Sequence, residues 1–222
     1  MHHCNTHECA LCSRSVAIRE NPLSRRAVLG GAALGSAALA AAGPALASLP
    51  HAAAPHPRLL ERARDAFARH SSRITTRDVV AIADYSLHSA FPRFFLFAPE
   101  SGQVTSLRVS HGRGSDPAHS GYLQRFSAQP GSAASSAGAY LTGAAYIGQH
   151  GRSRRLIGLE PENSTAEARA IVIHGAWYCE PQVLKQTGKL GRSEGCFAFS
   201  QTDVELVLER LGPGHLLYSG RA

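Results

Sequence analysis

The chain has 222 residues, a formal net charge of +7 and five cysteines. This length supports one folded domain with an appendage rather than several domains. The basic charge does not indicate nucleic-acid binding, because the Lys and Arg residues are scattered and no aromatic platform motif accompanies them.

Residues 1–47 have the organisation of an export signal. The paired arginines Arg25 and Arg26 precede an apolar, Ala/Gly-rich run over residues 30–42, and Ala45–Ala47 supplies a small-x-small cleavage site. An arginine pair in this place is typical of a twin-arginine signal. The run is shorter than the ~20 apolar residues that a membrane span needs. We therefore expect cleavage after Ala47 and no integral membrane segment afterwards, with an uncleaved anchor as the alternative.

Residues 48–75 are expected to form a helical appendage, in which apolar residues at helical spacing predict a helix of about 12 residues from Pro57 to near His70. Residues 76–222 are expected to form the main domain. Short apolar segments predict strands at residues 79–83, 94–97, 104–109, 139–142, 156–159, 170–173 and 215–218. The turn at residues 99–102 predicts that the second and third of these strands form a β-hairpin. The Gly/Ser/Pro-rich residues 110–136 predict a long loop.

Two further helices are predicted near the end of the chain. Residues 180–188 fit a two-turn helix, with Pro181 near its start and Gly188 just past its end. Ser200–Asp203 is a capping signal for an amphipathic helix over residues 204–211. The fold class is therefore mainly β, with short helices, an N-terminal helix and one C-terminal amphipathic helix.

The stretch from Lys189 to Phe199 carries the strongest chemical signal. It holds Cys196 among small and polar residues, and the predicted strand at 170–173 delivers His174 upstream of it. An unperturbed thiol, with a pKa of about 8.5, is only a few per cent ionised at neutral pH, so a nearby histidine would serve as its base. The turn before the cysteine is the predicted oxyanion hole, with Gly195, Ser193 and the Cys196 N–H as candidates. These residues predict a thiol acyl-transfer site.

With these residues in place, the chain resembles the murein L,D-transpeptidases, and most closely the branch with a Gly-Arg-Ser-x-Gly-Cys signature, here Gly191–Cys196. The resemblance extends over about Val80 to Ser219. It includes three segments in the expected order, Ser110–Gly112, Tyr146–Gly151 and Gly158–Glu160. Many family members carry a second histidine two residues before the cysteine. This chain has Glu194 in that place, directly before Gly195.

The resemblance implies a β-sandwich-like catalytic domain that acts outside the cytoplasmic membrane, in the periplasm or at the cell wall. Cys196 would attack the bond between the third and fourth residues of a peptidoglycan tetrapeptide stem, D-alanine would leave, and an amine from a neighbouring stem would resolve the thioester into a cross-link. His174 would act as base and then acid, oriented by the backbone carbonyl of Gly175. No cofactor, metal or nucleic-acid partner is implied.

Five further residues are candidates for substrate binding. Arg192 is suited to hold a stem-peptide carboxylate in a bidentate contact, with a surface arginine as the alternative. Tyr146 and His150 are candidates for the cleft lining. The alternative is that they are an ordinary loop tyrosine and a solvated histidine. Trp177 is a candidate for the cleft wall, as is its neighbour Tyr178, and a core position is the alternative for both.

Several alternatives stay open at this point. Water in place of an amine would make the protein an L,D-carboxypeptidase. Cys179 and Cys196 remain in the mature chain and are able to form a disulfide in an oxidising compartment. A zinc peptidase is a further alternative, raised by His111, Asp116, His119, His150 and His174, although the spacing of the first three fits no recognisable zinc-peptidase motif. A wall-binding module without catalysis is the last alternative, and the intact Cys196 and His174 argue against it.

Overall fold

The computed structural model describes residues 54–222, so the predicted signal at residues 1–47 lies outside the described residues. The described part contains three α-helices: α1 (Pro57–Arg69), α2 (Pro181–Thr187) and α3 (Gln201–Arg210). It contains eight strands: β1 (Val80–Asp84), β2 (Phe94–Phe97), β3 (Val104–Leu107), β4 (Gly138–Gly148), β5 (Gly151–Gly158), β6 (Val172–Gly175), β7 (Phe197–Phe199) and β8 (Leu216–Gly220). The predicted fold class, mainly β with short helices, is confirmed.

All eight strands belong to one mixed sheet in the order β3-β2-β1-β8-β4-β5-β6-β7. The pairs β1–β8 and β6–β7 are parallel, and the other neighbours are antiparallel. The predicted hairpin of β2 and β3 is confirmed, with Phe94 opposite Leu107 and Phe97 opposite Val104. β4 and β5 extend well beyond their predicted segments, because they continue as a second hairpin that turns at Gln149 and His150.

The sheet curls back on itself around one core. β2 and β7 lie far apart in the strand order, yet the rings of Phe94 and Phe199 meet edge to face with centroids 4.8 Å apart. The Ser110 N–H, just past β3, donates a hydrogen bond to the carbonyl oxygen of Ala198 in β7. The two halves of this single sheet therefore face each other. This arrangement gives the sandwich-like layering that the family resemblance implied.

Helix α1 packs on the outer face of the sheet. It begins at Pro57 and ends at Arg69, as its apolar spacing predicted, and it buries Leu59, Ala63 and Ala66. These side chains join a cluster with residues of β1, β4 and β8. The Glu160 carboxylate ties the end of the helix to the sheet, because it accepts hydrogen bonds from Arg69 (2.5 Å) and from the backbone N–H of Ala139 in β4 (3.0 Å).

Strands β6 and β7 position the residues with the strongest chemical signal. β6 is buried along its whole length, and it pairs with β5 on one side and with β7 on the other. Helix α3 packs against both strands, and the Ser200 hydroxyl caps it by accepting from the Asp203 N–H, as predicted. Within residues 54–222, no helix is both long and apolar enough to cross a membrane.

The predicted strand at residues 170–173 begins two residues later, at Val172. Ala170 has a φ of 51°, and this left-handed conformation interrupts the extended backbone that a strand requires. His174 consequently lies inside β6 rather than just beyond its end. In the parallel register Ile173 is opposite Phe197, so Cys196 lies directly before β7, beside the start of β6.

Candidate active site

A cleft of about 740 Å³ opens at this edge of the sheet. Its walls come from the loop at 110–136, the β4–β5 hairpin, the turn before β6 and the loop before β7. The predicted site residues that line it are Cys196, His174, Ser193, Arg192, Tyr146 and His150. The structure therefore brings the predicted nucleophile and the predicted base into one cavity.

Cys196 is partly exposed to this cleft, and its thiol lies 3.6 Å from the carbonyl oxygen of Ala170. Burial raises the pKa of the thiol, and the Glu194 carboxylate adds to the rise. The backbone N–H of Val172 and the charge of Arg169 oppose the rise without cancelling it. At neutral pH the resting side chain is therefore a protonated thiol, which needs a base before it can react as a nucleophile.

His174 meets the requirements of such a base. The residue is 2% exposed, and its Nδ1 lies 2.9 Å from the carbonyl oxygen of Gly175. A carbonyl only accepts hydrogen bonds, so Nδ1 carries the proton and Nε2 carries the lone pair. Burial lowers the pKa of His174, the Gly175 carbonyl opposes this, and His150 adds to the lowering. The imidazole is therefore neutral at pH 7 and able to accept a proton.

His150 covers one face of this imidazole. It lies at the turn of the β4–β5 hairpin, and its ring stacks on His174 with centroids 4.3 Å apart and an interplanar angle of 24°. Tyr146, on β4, lines the same wall, and the guanidinium of Arg155 lies 4.6 Å from the centre of its ring. The hairpin therefore shields His174 from solvent on one side and shapes the cleft on the other.

Two of the predicted oxyanion-hole residues, Gly195 and Ser193, already use their hydrogen-bond donors within the protein. The Ser193 hydroxyl donates to the carbonyl oxygen of Cys196 (2.7 Å) and accepts from the N–H of Gly195 (3.1 Å). The N–H of Ser193 donates to the carbonyl oxygen of His111. The assignment of Gly195 and Ser193 as donors is therefore corrected, because the tight turn at Gly195 (φ 116°) directs its N–H back to Ser193. The Cys196 N–H is the candidate that remains.

Trp177 and Arg192 differ from their predictions in different ways. Trp177 does not line the cleft and does not join the core, since it is 75% exposed. The short 3-10 turn at Trp177–Cys179 directs successive side chains to different sides, so that Tyr178 lines the cleft instead. Arg192 does line the cleft, but its guanidinium also donates to the carbonyl oxygens of Asp116 and Pro117 and so holds the long loop.

Cys179 and Cys196 are both free thiols. Cys179 is 4% exposed and donates to the carbonyl oxygen of Ala198 (3.4 Å). Burial raises the pKa of Cys179 to about 12. The structure therefore contradicts the disulfide alternative and places Cys179 in the packing beneath the site.

The residues considered for zinc do not converge on a common point. Nδ1 of His111 accepts from Arg93 (2.8 Å), and Nε2 faces the Asp116 carboxylate (3.3 Å). Burial and the charge of Arg93 lower the pKa of His111 to about 3. His119 is bonded instead to the carbonyl oxygen of Leu190. Within residues 54–222, no group of three His, Cys, Asp or Glu side chains is arranged to hold a metal ion.

Sequence reasoning missed Arg169, which lines the cleft. Arg169 precedes the strand that carries His174, and only the turn at Ala170 brings its guanidinium back to the cavity. A basic residue before a buried strand is a common pattern, so no local signal distinguished it. Tyr178 was considered for the cleft wall together with Trp177, and the structure places Tyr178 there and Trp177 outside it.

A curled mixed sheet that presents a cysteine and a neutral, carbonyl-oriented histidine in one cleft defines a class of thiol enzyme domain. The chain belongs to the L,D-transpeptidase catalytic domain family, which it matches over residues 52–219.

Several solved structures are similar to this chain. One is the L,D-transpeptidase from Mycobacterium smegmatis, at 13% identity over 64% of this chain and 58% of that chain, with a TM-score of 0.40. Another is L,D-transpeptidase 3 from Mycobacterium tuberculosis in complex with a faropenem-derived adduct, at 14% identity over 65% of this chain and 60% of that chain, with a TM-score of 0.42. The alignments span about three fifths of those chains. No curated protein matches the sequence.

Proposed function

We propose that the protein is an exported cysteine acyltransferase that forms L,D cross-links between peptidoglycan tetrapeptide stems through a thioester on Cys196. We also assign it to the family branch with the signature at Gly191–Cys196. The observation that carries the proposal is the joint presence in one cleft of the Cys196 thiol and of His174, whose Nδ1 is fixed by the Gly175 carbonyl. Family membership over residues 52–219 supports the same chemistry.

In the first half-reaction, Nε2 of His174 takes the thiol proton as the sulfur of Cys196 attacks the carbonyl carbon of the third stem residue. The tetrahedral intermediate collapses, the bond to the fourth residue breaks, and the imidazolium gives its proton to the departing D-alanine amine. The product of this step is a Cys196 thioester. A resting pair of neutral groups suits this sequence, because His174 is free to receive the proton when the substrate arrives.

In the second half-reaction, an amine of a neighbouring stem attacks the thioester and loses a proton to His174. The sulfur leaves as thiolate and is then protonated by the same imidazolium, which restores the resting state. Water in place of the amine would give the carboxypeptidase reaction. The negative oxygen that forms in each half is assigned to the Cys196 N–H, because Gly195 and Ser193 are bonded to each other.

Export and substrate binding are parts of the same proposal. Export rests on the arginine pair and apolar run within residues 1–47. The wall of Tyr146 and His150 is proposed to hold the donor stem beside His174. Arg192 is proposed to reach a substrate carboxylate from the opposite wall while it anchors the long loop.

The test compares the turnover of purified tetrapeptide stems by the full-length protein and by its Cys196→Ala and Cys179→Ala variants. The products are identified by mass spectrometry. Cys196→Ala should lower turnover by at least about 10³-fold, because it removes the nucleophile. Cys179→Ala is the matched control and should keep turnover within a few-fold, because a thiol with a pKa of about 12 is not ionised at neutral pH.

Turnover retained by Cys196→Ala, or lost in a folded Cys179→Ala protein, would refute the assignment. The products separate the two reactions of the same site. Cross-linked dimers indicate the transpeptidase, whereas a tripeptide formed with water and no dimers indicates the carboxypeptidase.

A further inference from the structure

Arg169 holds an uncompensated positive charge at the base of the cleft. Its guanidinium donates to the carbonyl oxygen of Ser127 (2.9 Å), to the Ser136 hydroxyl (2.8 Å) and to the carbonyl oxygen of Ala134 (2.5 Å). All three acceptors are neutral, and none of the ion pairs found within residues 54–222 includes Arg169. The guanidinium is therefore held rigidly while its charge stays available to a group in the cleft.

This charge is held close to the cysteine. A Cβ atom on Gly195, the residue before Cys196, would lie 2.9 Å from Nη2 of Arg169, so the guanidinium packs directly on that backbone. The residue after Arg169 is Ala170, whose carbonyl oxygen is 3.6 Å from the Cys196 thiol. Ala170 reaches this position through a left-handed conformation that a residue with a side chain rarely adopts. Arg169 thus packs on the backbone that precedes the cysteine, and Ala170 contacts the thiol itself.

The remaining charged and titratable groups of the cleft do not replace Arg169. Glu194, on the loop of the cysteine itself, has the opposite effect on the thiol, and its carboxylate pairs with Arg113 at 3.0 Å. The guanidinium of Arg192 is bonded to the carbonyl oxygens of Asp116 and Pro117. The other titratable groups that line the cleft are Tyr146, His150, His174 and Tyr178. Arg169 is also the cation that favours the charged form of Cys196.

We propose that Arg169 is a positioning residue that stabilises the anionic sulfur of Cys196 by its fixed charge, as the thiolate forms and again as it leaves the thioester. The inference rests on the proposed role of Cys196 as the nucleophile. It explains how a partly buried thiol, with an acidic neighbour at Glu194, is still able to ionise when His174 takes its proton. An opposite charge within a few ångströms typically changes a pKa by about one to three units.

The experiment measures the rate at which iodoacetamide alkylates Cys196 in the full-length protein from pH 5 to 10, by peptide mass. Arg169→Gln should move the midpoint of the pH profile up by roughly one unit and slow alkylation at pH 7 by about tenfold. Arg169→Lys keeps the charge and should stay within about half a unit of the wild type. Arg125→Gln is the matched control, since Arg125 also bonds a carbonyl of the long loop, at Gly114, but lies outside the cleft.

A Gln profile that superimposes on the wild type overturns the proposal. Equal displacement by Gln and Lys also overturns it, because that result assigns the effect to the lost loop contacts. If the Gln variant does not fold, the midpoint of the wild-type alkylation profile is measured at low and high salt instead, since added salt weakens a charge interaction. A wild-type midpoint that does not rise between 0.05 and 1 M salt, about a threefold or greater change in Debye length, then overturns it.

Stem-peptide turnover, measured on the same samples, separates this inference from the proposed function. A displaced alkylation profile in a protein without turnover on stem peptides would refute the proposed function and leave the role of Arg169 intact. Normal turnover with an unchanged alkylation profile in Arg169→Gln would refute the role of Arg169 and leave the proposed function intact.

Discussion

Gly195→Ala tests whether the turn before the cysteine is as tightly packed as the structure shows. Gly195 has a φ of 116°, in a region where residues with a side chain are strained. A Cβ atom there would lie 2.6 Å from the carbonyl oxygen of Ala134 and 2.9 Å from Nη2 of Arg169. The first of these atoms is backbone in a neighbouring segment, so it has little freedom to move away.

The expected loss of stability has two parts. The left-handed backbone costs an alanine about 1–2 kcal/mol. Forcing a methyl group into filled space adds about 1–3 kcal/mol, for a total of roughly 2–5 kcal/mol in the free energy of unfolding. Gly188→Ala is the matched control, because Gly188 also has a positive φ (72°) but nothing lies within 4 Å of its Cβ position. It should lose only the backbone part, about 1–2 kcal/mol.

Urea unfolding of the full-length wild type and of both variants measures this difference. Equal losses for Gly195→Ala and Gly188→Ala would refute the reasoning, because the steric part would then be absent. The alkylation rate of Cys196 gives a second readout. It should fall in folded Gly195→Ala, since the methyl group displaces the Arg169 guanidinium, and it should be unchanged in Gly188→Ala.

Two further predictions concern pH. His150→Gln uncovers His174 and removes a group that lowers its pKa, so the pKa of His174 should rise and the acidic limb of kcat/KM on stem peptides should move to higher pH; an unmoved limb contradicts this. Burial alone would raise the pKa of Glu160, but the hydrogen bonds from Arg69, the Ala139 N–H and His70 outweigh burial and lower it. The stability that Glu160 contributes is present above the unfolded pKa of about 4.5 and is lost as pH falls through the folded pKa. Glu160→Gln should therefore cost about 1–3 kcal/mol at pH 7 and much less at pH 3, and equal costs in urea unfolding at both values would contradict it.

The parts of the fold that the sequence predicted well are those with local causes. The C-terminal helix was placed correctly because Ser200 caps it through the Asp203 N–H, only three residues away. The β2–β3 hairpin was placed correctly because its turn residues lie between two short apolar runs. The pairing of His174 with Cys196 in one cleft was predicted from the residues themselves and agreed with the family resemblance, and the parallel register of β6 and β7 accounts for it.

The errors have causes that lie far apart in the chain. The N–H of Gly195 donates back to the Ser193 hydroxyl in a turn with a positive φ, and the carbonyl of Ala134, some sixty positions earlier, fills the space where a side chain of residue 195 would lie. Trp177 is exposed because a 3-10 turn, rather than a strand, follows β6. Neither contact leaves a periodic pattern in the sequence, so reading residues in order could identify the turn as important but not which of its groups are free.

The electrostatics of the cleft keep Cys196 and His174 neutral at rest, so that the proposed ion pair forms only during the reaction. Burial raises the pKa of Cys196 and lowers the pKa of His174, so both changes favour the neutral pair over a preformed thiolate and imidazolium. A neutral thiol is less exposed to oxidation than a standing thiolate, because the thiolate is the reactive form. The cost is a barrier to ionisation, which a fixed cation at the base of the cleft would lower only when charge develops on the sulfur. In the proposed mechanism, a neutral resting pair and a rigid Arg169 without an ion-pair partner are therefore complementary features.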